Sequence, residues 1–262
     1  MIRVSASAFD ILWSDLGCSG SPAPLVVRSV GRTDHERARI REEVYANLAE
    51  RGLVRGGELD PELRERLDLL ARASLTVECE ALADLSDPEP VRAVAAVVGD
   101  RGVLAVQPRR TVALTAIHAG EAFGAVVGVL PDFDAGPGMG VNLPASALTT
   151  VADAATEHSN TRRARVFEQQ AREALAIQSR PVLAAGQFSI RVRRGTKLHR
   201  MGGVSWFVTD EGGYLGAVAE GRAGEQWLSL VPTDPPRLAA RLADLAHEAE
   251  LDAVPRGGLG SG

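Results

Sequence analysis

The chain has 262 residues, of which 45% are hydrophobic and 24% are charged, and its formal net charge is -5. This composition is that of a globular protein large enough to bury a substantial core. No segment approaches the roughly 18 consecutive apolar residues that a membrane helix needs, and residues 1–10 lack the apolar core of a signal peptide. We therefore expect a cytoplasmic protein that does not insert into membranes.

Cysteine content and charge argue against two further classes. Cys18 and Cys79 are the only cysteines, which is too few for a zinc site or a disulfide framework. General nucleic-acid binders carry a basic excess and often stack bases on aromatic rings, whereas this chain is acidic and only 4% aromatic. Nucleic acid is therefore not an expected partner.

The first half of the chain predicts several helices, a four-stranded meander and a closing helix. Alternating residues predict a strand at 2–7, and apolar residues at helical spacing predict a helix at 9–16. Two further helices begin at the capping residues Thr33 and Asp60. The meander strands are predicted at 74–81, 91–98, 103–107 and 111–117, and the closing helix at 119–130.

The predicted strand at 74–81 indicates how the sheet is covered. Its apolar residues alternate with Glu78 and Glu80, which point to the other face. Such alternation is typical of an antiparallel sheet with one face on the core and the other in water. We therefore expect this part of the sheet to be covered on one face only.

A segment rich in glycine and proline at 131–143 divides the chain, and the pattern of the first half returns after it. Helices are predicted at 144–157 and 162–179, and a final helix begins after the cap at Asp234. Between them lie predicted strands at 188–193, 204–208, 214–219 and 227–231.

The two similar halves predict an α+β fold with a quasi-twofold architecture, in which helical bundles flank a central antiparallel sheet. The predicted units are an N-terminal half at 1–130, a connector at 131–143, a C-terminal half at 144–254 and a disordered tail at 255–262. Two independent subdomains on a flexible linker are the alternative. The joined form is favoured because Val141 and Leu143 supply apolar anchors beside the glycines.

The chain contains none of the usual catalytic or metal-binding motifs. Its five histidines are scattered without the spacing of metal ligands. The glycine run at 136–140 lacks the Lys-Ser/Thr pair of a nucleotide loop, and Pro137 removes an amide donor from it. We therefore assign no catalytic residue, no metal ligand and no cofactor.

The densest charge lies at 191–200, which holds four arginines, one lysine and one histidine. One interpretation is a hairpin that binds an anion, a nucleic acid or an acidic protein surface. The other is an exposed strand pair whose arginines discourage edge-to-edge association. The pattern favours the second interpretation and leaves the first open.

Several short motifs occur in an order and at a spacing that resemble those of one family. Each alone is only a helix cap, a turn or a buried stripe, but together they extend over about residues 2–250. They are GRTDHER at 31–37, LAERGL at 48–53, LDPEL at 59–63, LP at 130–131, GPG at 136–138, GQF at 186–188, GYL at 213–215 and Trp227. In these motifs the chain resembles the EspG family of actinobacterial type VII (ESX) secretion systems.

The resemblance implies a cytoplasmic chaperone and not an enzyme. Members of the family bind PE–PPE heterodimers, cover an apolar patch near the tip of the PPE subunit, keep the pair soluble and deliver it to its secretion machine. The resemblance also implies the family's quasi-twofold α+β fold around a central antiparallel sheet. The free protein could self-associate as a homodimer through the surface meant for its client.

In that family the binding surface involves the sheet, the loop between the first two meander strands and the C-terminal helical portion. The corresponding loop here is 83–90, which is shorter than in many members. The predicted partner-binding residues are Asp84, Leu85, Asp87 and Glu89 on the loop and Arg191, Arg193 and Arg194 on the second sheet. An exposed helical tip is an aggregation liability, and a groove of sheet and helix can sequester it.

Three other functions stay open on sequence grounds. A protein of the same fold could serve a different secreted helical client. An enzyme with a site between the halves would show a deep polar pocket, whereas a chaperone would show a broad, partly apolar groove. A nucleic-acid binder that uses the arginine segment would lose affinity steeply as the salt concentration rises.

Overall fold

The computed structural model describes residues 1–147, 162–220 and 224–253. The predicted helix at 144–157 lies largely outside these residues, and the predicted tail at 255–262 lies wholly outside them. A 3-10 turn at Ala119–Glu121 precedes the fourth helix. The α-helices are α1 (Ala6–Asp15), α2 (Asp34–Glu50), α3 (Pro61–Arg72), α4 (Ala122–Val127), α5 (Arg162–Gln178) and α6 (Pro235–Ala253).

The helices α2 and α3 begin at the expected caps. Thr33 Oγ1 accepts a hydrogen bond from the amide of Glu36 at 3.1 Å. Asp60 Oδ1 accepts hydrogen bonds from the amides of Glu62 and Leu63 at 3.0 and 3.2 Å. These contacts satisfy amides that a helix start otherwise leaves without a partner.

The strands form one large antiparallel sheet and one small hairpin. In chain order they are β1 (Ile2–Ser5), β2 (Val54–Arg55), β3 (Glu58–Leu59), β4 (Leu75–Leu82), β5 (Val91–Val98), β6 (Arg101–Gln107), β7 (Thr111–His118), β8 (Val141–Pro144), β9 (Val182–Arg194), β10 (Lys197–Thr209), β11 (Gly212–Glu220) and β12 (Gln226–Thr233). The hairpin is β2–β3, and the large sheet has the order β1-β7-β6-β5-β4-β9-β10-β11-β12-β8. The predicted antiparallel α+β class is confirmed.

The two halves of the large sheet have equivalent strand orders: from either edge, a short strand is followed by the fourth, third, second and first strands of a meander. A short edge strand, β1 or β8, pairs with the last strand of a meander. The two meanders meet where the first strand of each, β4 and β9, pair along their length from Leu75 opposite Val192 to Leu82 opposite Ala185. One continuous ladder of backbone hydrogen bonds therefore joins the two halves of the chain.

Helices cover both faces of the sheet. On the face that we call the back, α4 and α6 pack over a single hydrophobic cluster that includes Phe188, Trp206 and Leu238. On the opposite face, the front, α1 and α3 pack over the first meander, and α2 packs on α1 and β2. At the far side of this face, α5 packs over β8 and β12. The front face therefore has two separate clusters, with the central strands between them.

The expectation that only one face of this part of the sheet is covered was wrong for β5, which pairs with β4. On β5, Ala93 and Ala95 are buried in the back cluster, whereas Val94 and Ala96 are buried in a front cluster. The reason is visible in β5, whose VRAVAAVV sequence is a continuous apolar run rather than an alternation. The polar residues of β4 suggested an uncovered face because they lie at the border of the covered area.

The connector between the halves is bound to the start of β11. The amide of Gly136 donates to the carbonyl of Gly213 at 3.0 Å, and the amide of Gly213 donates to the carbonyl of Asp134 at 2.8 Å. A Cβ on Gly136 would collide with the ring of Tyr214, so only glycine fits here. The connector is therefore a packed segment of the fold.

Candidate functional site

The middle of the front face is left open between the two front clusters. Cross-strand pairing places Glu80 of β4 opposite Gln187, Gln187 opposite Ser205, and Ser205 opposite Gly216. These four residues form one straight row on one face. Val218, two residues along β11, is 66% exposed on the same face. We call these five residues the open strip.

Two shallow cavities flank the open strip and share Gln187 and Ser205 in their linings. One has a volume of about 480 Å³ and reaches Pro88 and Pro90 of the loop at 83–90. The other has a volume of about 430 Å³ and lies between β10 and β11. Together they make a broad surface of polar, glycine and apolar residues rather than a deep enclosed pocket.

The carboxylates at the centre of this face are paired with arginines. Glu80 Oε1 lies 3.1 Å from Arg92 Nη2, and Glu78 Oε1 lies 2.8 Å from Arg191 Nε. Burial raises the pKa of Glu78, and the nearby guanidinium of Arg191 acts in the opposite direction. Arg200 and the hydroxyl of Thr76 also act to lower the pKa of Glu78.

The loop at 83–90 borders the open strip and is held by its own hydrogen bonds. Asp84 Oδ1 accepts from the amide of Ser86 at 2.8 Å, and Asp87 Oδ1 accepts from the amide of Glu89 at 3.0 Å. The hydrogen bonds from Ser86 lower the pKa of Asp84. Leu85 donates its amide to the carbonyl of Leu183 at 3.1 Å, and its side chain is 45% exposed.

One cation partly neutralises the loop. Arg109 Nη2 lies 3.8 Å from Asp87, and Arg109 Nε lies 3.5 Å from Glu89. The three side chains are all about half or more exposed, so these ion pairs contribute little to stability. The loop therefore presents Asp84 and Leu85 most freely.

The predicted arginines have different surroundings. Arg191 is paired with Glu78. Arg193 donates through Nε to the carbonyl of Ala73 at 2.7 Å and through Nη2 to the carbonyl of Ala71 at 3.1 Å, at the end of α3. Arg194 is exposed at the turn between β9 and β10.

The structure does not bring the loop and the arginines together. The loop follows Leu82 at one end of the β4–β9 ladder, whereas Arg193 lies beyond Leu75 at the other end. The seven residue steps between Leu75 and Leu82 span about 24 Å. The loop thus adjoins the open strip. The turn between β9 and β10 with its arginines at 191–200, which we call the arginine hairpin, lies at the far end of the same strands.

Sequence reasoning missed Gln187, Ser205, Gly216 and Val218 as surface residues of the site. They come from three strands, and only the register between the strands aligns them in a row. The available signal was weak: Gln187 precedes the buried Phe188 on β9, and Ser205 precedes the buried Trp206. Alternation shows which face each occupies but not its neighbours.

The described residues show neither a metal centre nor a membrane span. Among them, no group of three or more His, Cys, Asp or Glu side chains is arranged to hold a metal ion. No helix within the described ranges is long and apolar enough to cross a bilayer.

The sequence matches the EspG family over residues 5–244, which is nearly the whole chain. The chain belongs to the EspG family. This EspG-family chain also shares its fold with the Mycobacterium tuberculosis type VII secretion system chaperone EspG5, whose structure was solved in complex with the PE25–PPE41 dimer. The TM-score is 0.62 at 16% sequence identity, and the match covers 98% of this chain and 97% of EspG5. No curated protein matches the chain.

Proposed function

We propose that this EspG-family protein is a cytoplasmic chaperone of a type VII secretion system. It binds a PE–PPE-type heterodimer at the tip of the PPE subunit, keeps the pair soluble and delivers it for secretion. Family membership and the fold shared with EspG5, seen with the PE25–PPE41 dimer, support the proposal. The observation that carries it in this molecule is the open strip, an uncovered sheet surface between two helix-covered areas.

The chemistry of the open strip suits the end of a helical hairpin. Gly216 has no side chain, so a partner can approach the strands closely. Val218 supplies apolar contact area, and the exposed Gln187 and Ser205 supply hydrogen-bond donors and acceptors. Helix ends carry unpaired backbone amides and carbonyls. The strip can therefore cover apolar side chains and satisfy polar groups of a helical tip together.

We propose that the rim of this surface is formed by the loop residues Asp84, Leu85, Asp87 and Glu89. They adjoin the cavity that Pro88 and Pro90 line. Of the arginines, Arg194 is free to contact a partner. Arg191 and Arg193 act mainly by fixing the β9–β10 hairpin, because each already binds another part of the chain.

A non-enzymatic role fits this surface better than catalysis. The cavities are shallow, and among the described residues the central carboxylates are engaged by arginines. An enzyme needs convergent groups with a free acid, base or nucleophile. The open strip offers area and hydrogen bonds, which are the requirements of a binding surface.

The first test is co-expression with the PE–PPE pair encoded nearest to this gene, followed by size-exclusion chromatography. We expect one complex to elute, and we expect the pair to be insoluble when expressed alone. Val218→Glu should abolish co-elution, because it buries a charge in the interface without touching the core. Val231→Glu is the matched control, since Val231 is 45% exposed on the neighbouring strand and faces the back.

Co-elution of the Val218→Glu variant at the wild-type level would remove the open strip from the interface. Absence of a complex with a soluble, correctly paired client would contradict the chaperone function for that client.

The contribution of the loop is tested by reversing its charge. We expect Glu89→Lys to weaken the complex several-fold while leaving the melting temperature unchanged, because Glu89 is exposed and Asp87, which accepts a hydrogen bond that holds the loop, is left in place. Binding measured by titration calorimetry beside thermal unfolding checks this. Unchanged affinity would exclude the loop from the site.

A further inference from the structure

The large sheet opens between β10 and β11. These strands pair only from Ser205 opposite Gly216 to Thr209 opposite Gly212. Beyond Ser205 toward the arginine hairpin, β10 pairs with β9 alone, and β11 beyond Gly216 pairs with β12 alone. Between the two diverging strands lies the cavity of about 430 Å³ that also adjoins the open strip, so the two surfaces share Gln187, Ser205, Gly216 and Val218. We call this opening the notch.

The notch exposes a strand edge with unpaired backbone groups. Within the described residues, no strand lies against the outer edge of β10 over 197–204. Unpaired amides and carbonyls on an edge are a template for another strand. The ladder between β9 and β10 is also irregular between Arg200 and Gly202, which bends this part of β10. Only a partner matched in shape and charge would pair here.

Positive charge lies along the free edge of β10 and at the turn between β9 and β10. Arg194, Lys197 and Arg200 are exposed, and none of them forms an ion pair with another described residue. Arg200 also lines the notch, and its guanidinium lies over the position where Gly203 would carry a Cβ. Arg200 also acts on the carboxylate of Glu78 and helps to lower its pKa. In a chain of net charge -5, Lys197 and Arg200 on the β10 edge and Arg194 at the adjoining turn define the sign of the partner.

We propose that the notch binds an extended, carboxylate-rich segment of a partner protein, which adds as a strand to the free edge of β10. Backbone hydrogen bonds to β10 hold the segment, and its carboxylates pair with Arg194, Lys197 and Arg200. A nucleic acid fits less well, because no exposed aromatic ring accompanies the cations for base stacking. A membrane surface fits less well, because the hairpin tip exposes no large apolar residue.

The proposal does not depend on the identity of the secreted client, so the test uses a synthetic probe. The probe is a peptide of alternating Glu and Thr, and its comparison is a peptide of alternating Lys and Thr. Three proteins are compared: the wild type, the double variant Arg194→Glu with Lys197→Glu, and the control Arg28→Glu with Arg55→Glu. Arg28 and Arg55 are exposed elsewhere, so both double variants change the net charge equally.

We expect the acidic peptide to bind the wild type and the control and to bind the hairpin variant at least about fivefold more weakly. Binding should weaken with salt, and the basic peptide should not bind. Amide hydrogen exchange over 198–204 should slow when the acidic peptide is bound, because strand addition pairs these amides. The double variant Arg194→Gln with Lys197→Gln should also bind the acidic peptide more weakly than the wild type, but by a smaller factor. This milder variant is a control in case the charge-reversed double variant does not fold.

Three outcomes would overturn the proposal. Equal binding of the acidic peptide to all three proteins would exclude the hairpin cations. Binding without slower exchange over 198–204 would exclude strand addition. Tighter binding of a single-stranded oligonucleotide or of anionic lipid vesicles than of the acidic peptide would replace the proposed partner with that class.

Discussion

At the scale of single residues, Glu78 shows how a buried carboxylate at the centre of the front face is compensated by an arginine. Its side chain is only 9% exposed, and Arg191, 33% exposed, is its ion-pair partner on the neighbouring strand. Burial raises the pKa of Glu78 above the usual 4.5, and Arg191 offsets only part of this rise. The ionised acid therefore costs folding free energy that the paired arginine reduces.

The raised pKa predicts a pH dependence of stability. The folded state holds the proton of Glu78 more tightly than the unfolded state, so stability falls as the pH rises from about 4.5 through the raised value. Glu78→Gln removes this titration. The free-energy difference between the wild type and the variant should therefore favour the wild type more at about pH 5 than at about pH 7. Urea unfolding at both pH values measures it.

The matched control for Glu78 is Glu80→Gln. Glu80 occupies the next position on the same face of β4, and its side chain is 41% exposed, so its burial cost is smaller. A difference between the wild type and Glu78→Gln that stays constant with pH would show that Glu78 does not titrate as argued.

At the scale of elements, Arg193 joins the β9–β10 hairpin to helix α3. Carbonyls at a helix end lack intrahelical partners, and here those of Ala71 and Ala73 accept hydrogen bonds from one guanidinium. A third hydrogen bond, to the carbonyl of Thr196, fixes the turn of the hairpin. Two elements more than 100 residues apart in the chain are thus tied by one side chain.

Removing this tie should destabilise the protein. We expect Arg193→Met to lower the free energy of unfolding by about 2 kcal/mol, because charged hydrogen bonds to partly buried carbonyls are lost. Arg194→Met is the matched control, since Arg194 is exposed and should change stability by less than about 0.5 kcal/mol. Urea titrations measure the free energy of unfolding of both variants. Equal values would mean that the hydrogen bonds of Arg193 to helix α3 contribute nothing to stability.

At the scale of the whole molecule, the two halves share one sheet and one back cluster. The β4–β9 ladder crosses the boundary between them. The back cluster combines Ala93 and Ala95 of the first half with Trp206 and Leu238 of the second. Neither half can bury these surfaces alone, which argues against two independent subdomains.

This continuity predicts a single cooperative unfolding transition. Trp13 is buried in the first half, and Trp206 is buried in the second. Trp13→Phe leaves reporters only in the second half, and the pair Trp206→Phe and Trp227→Phe leaves only Trp13. For each protein, the urea transition followed by tryptophan fluorescence should coincide with the transition followed by circular dichroism of that same protein. A fluorescence transition separate from the circular dichroism would show independent halves.

Much of the fold was predictable from local patterns. The caps at Thr33 and Asp60, the strands of the first meander and the final helix from Pro235 occur within a few residues of their predicted positions. In the second meander, β9 and β10 begin six and seven residues before their predicted starts at 188 and 204. The order of short motifs also indicated the family that the match over residues 5–244 shows. Of the candidate site, the loop at 83–90 was predicted and does adjoin the open strip.

The remaining features depend on contacts between distant parts of the chain. Side-chain alternation and capping residues act over a few positions, so the sequence was sufficient to locate helices, strands and turns. The pairing of β4 with β9, the coverage of β5 on both faces and the row from Glu80 to Gly216 arise only when two meanders meet in one register. That register is set by the joint burial of both sheet faces, which no local pattern contains. The same pairing leaves the centre of the front face open and separates the loop from the arginine hairpin.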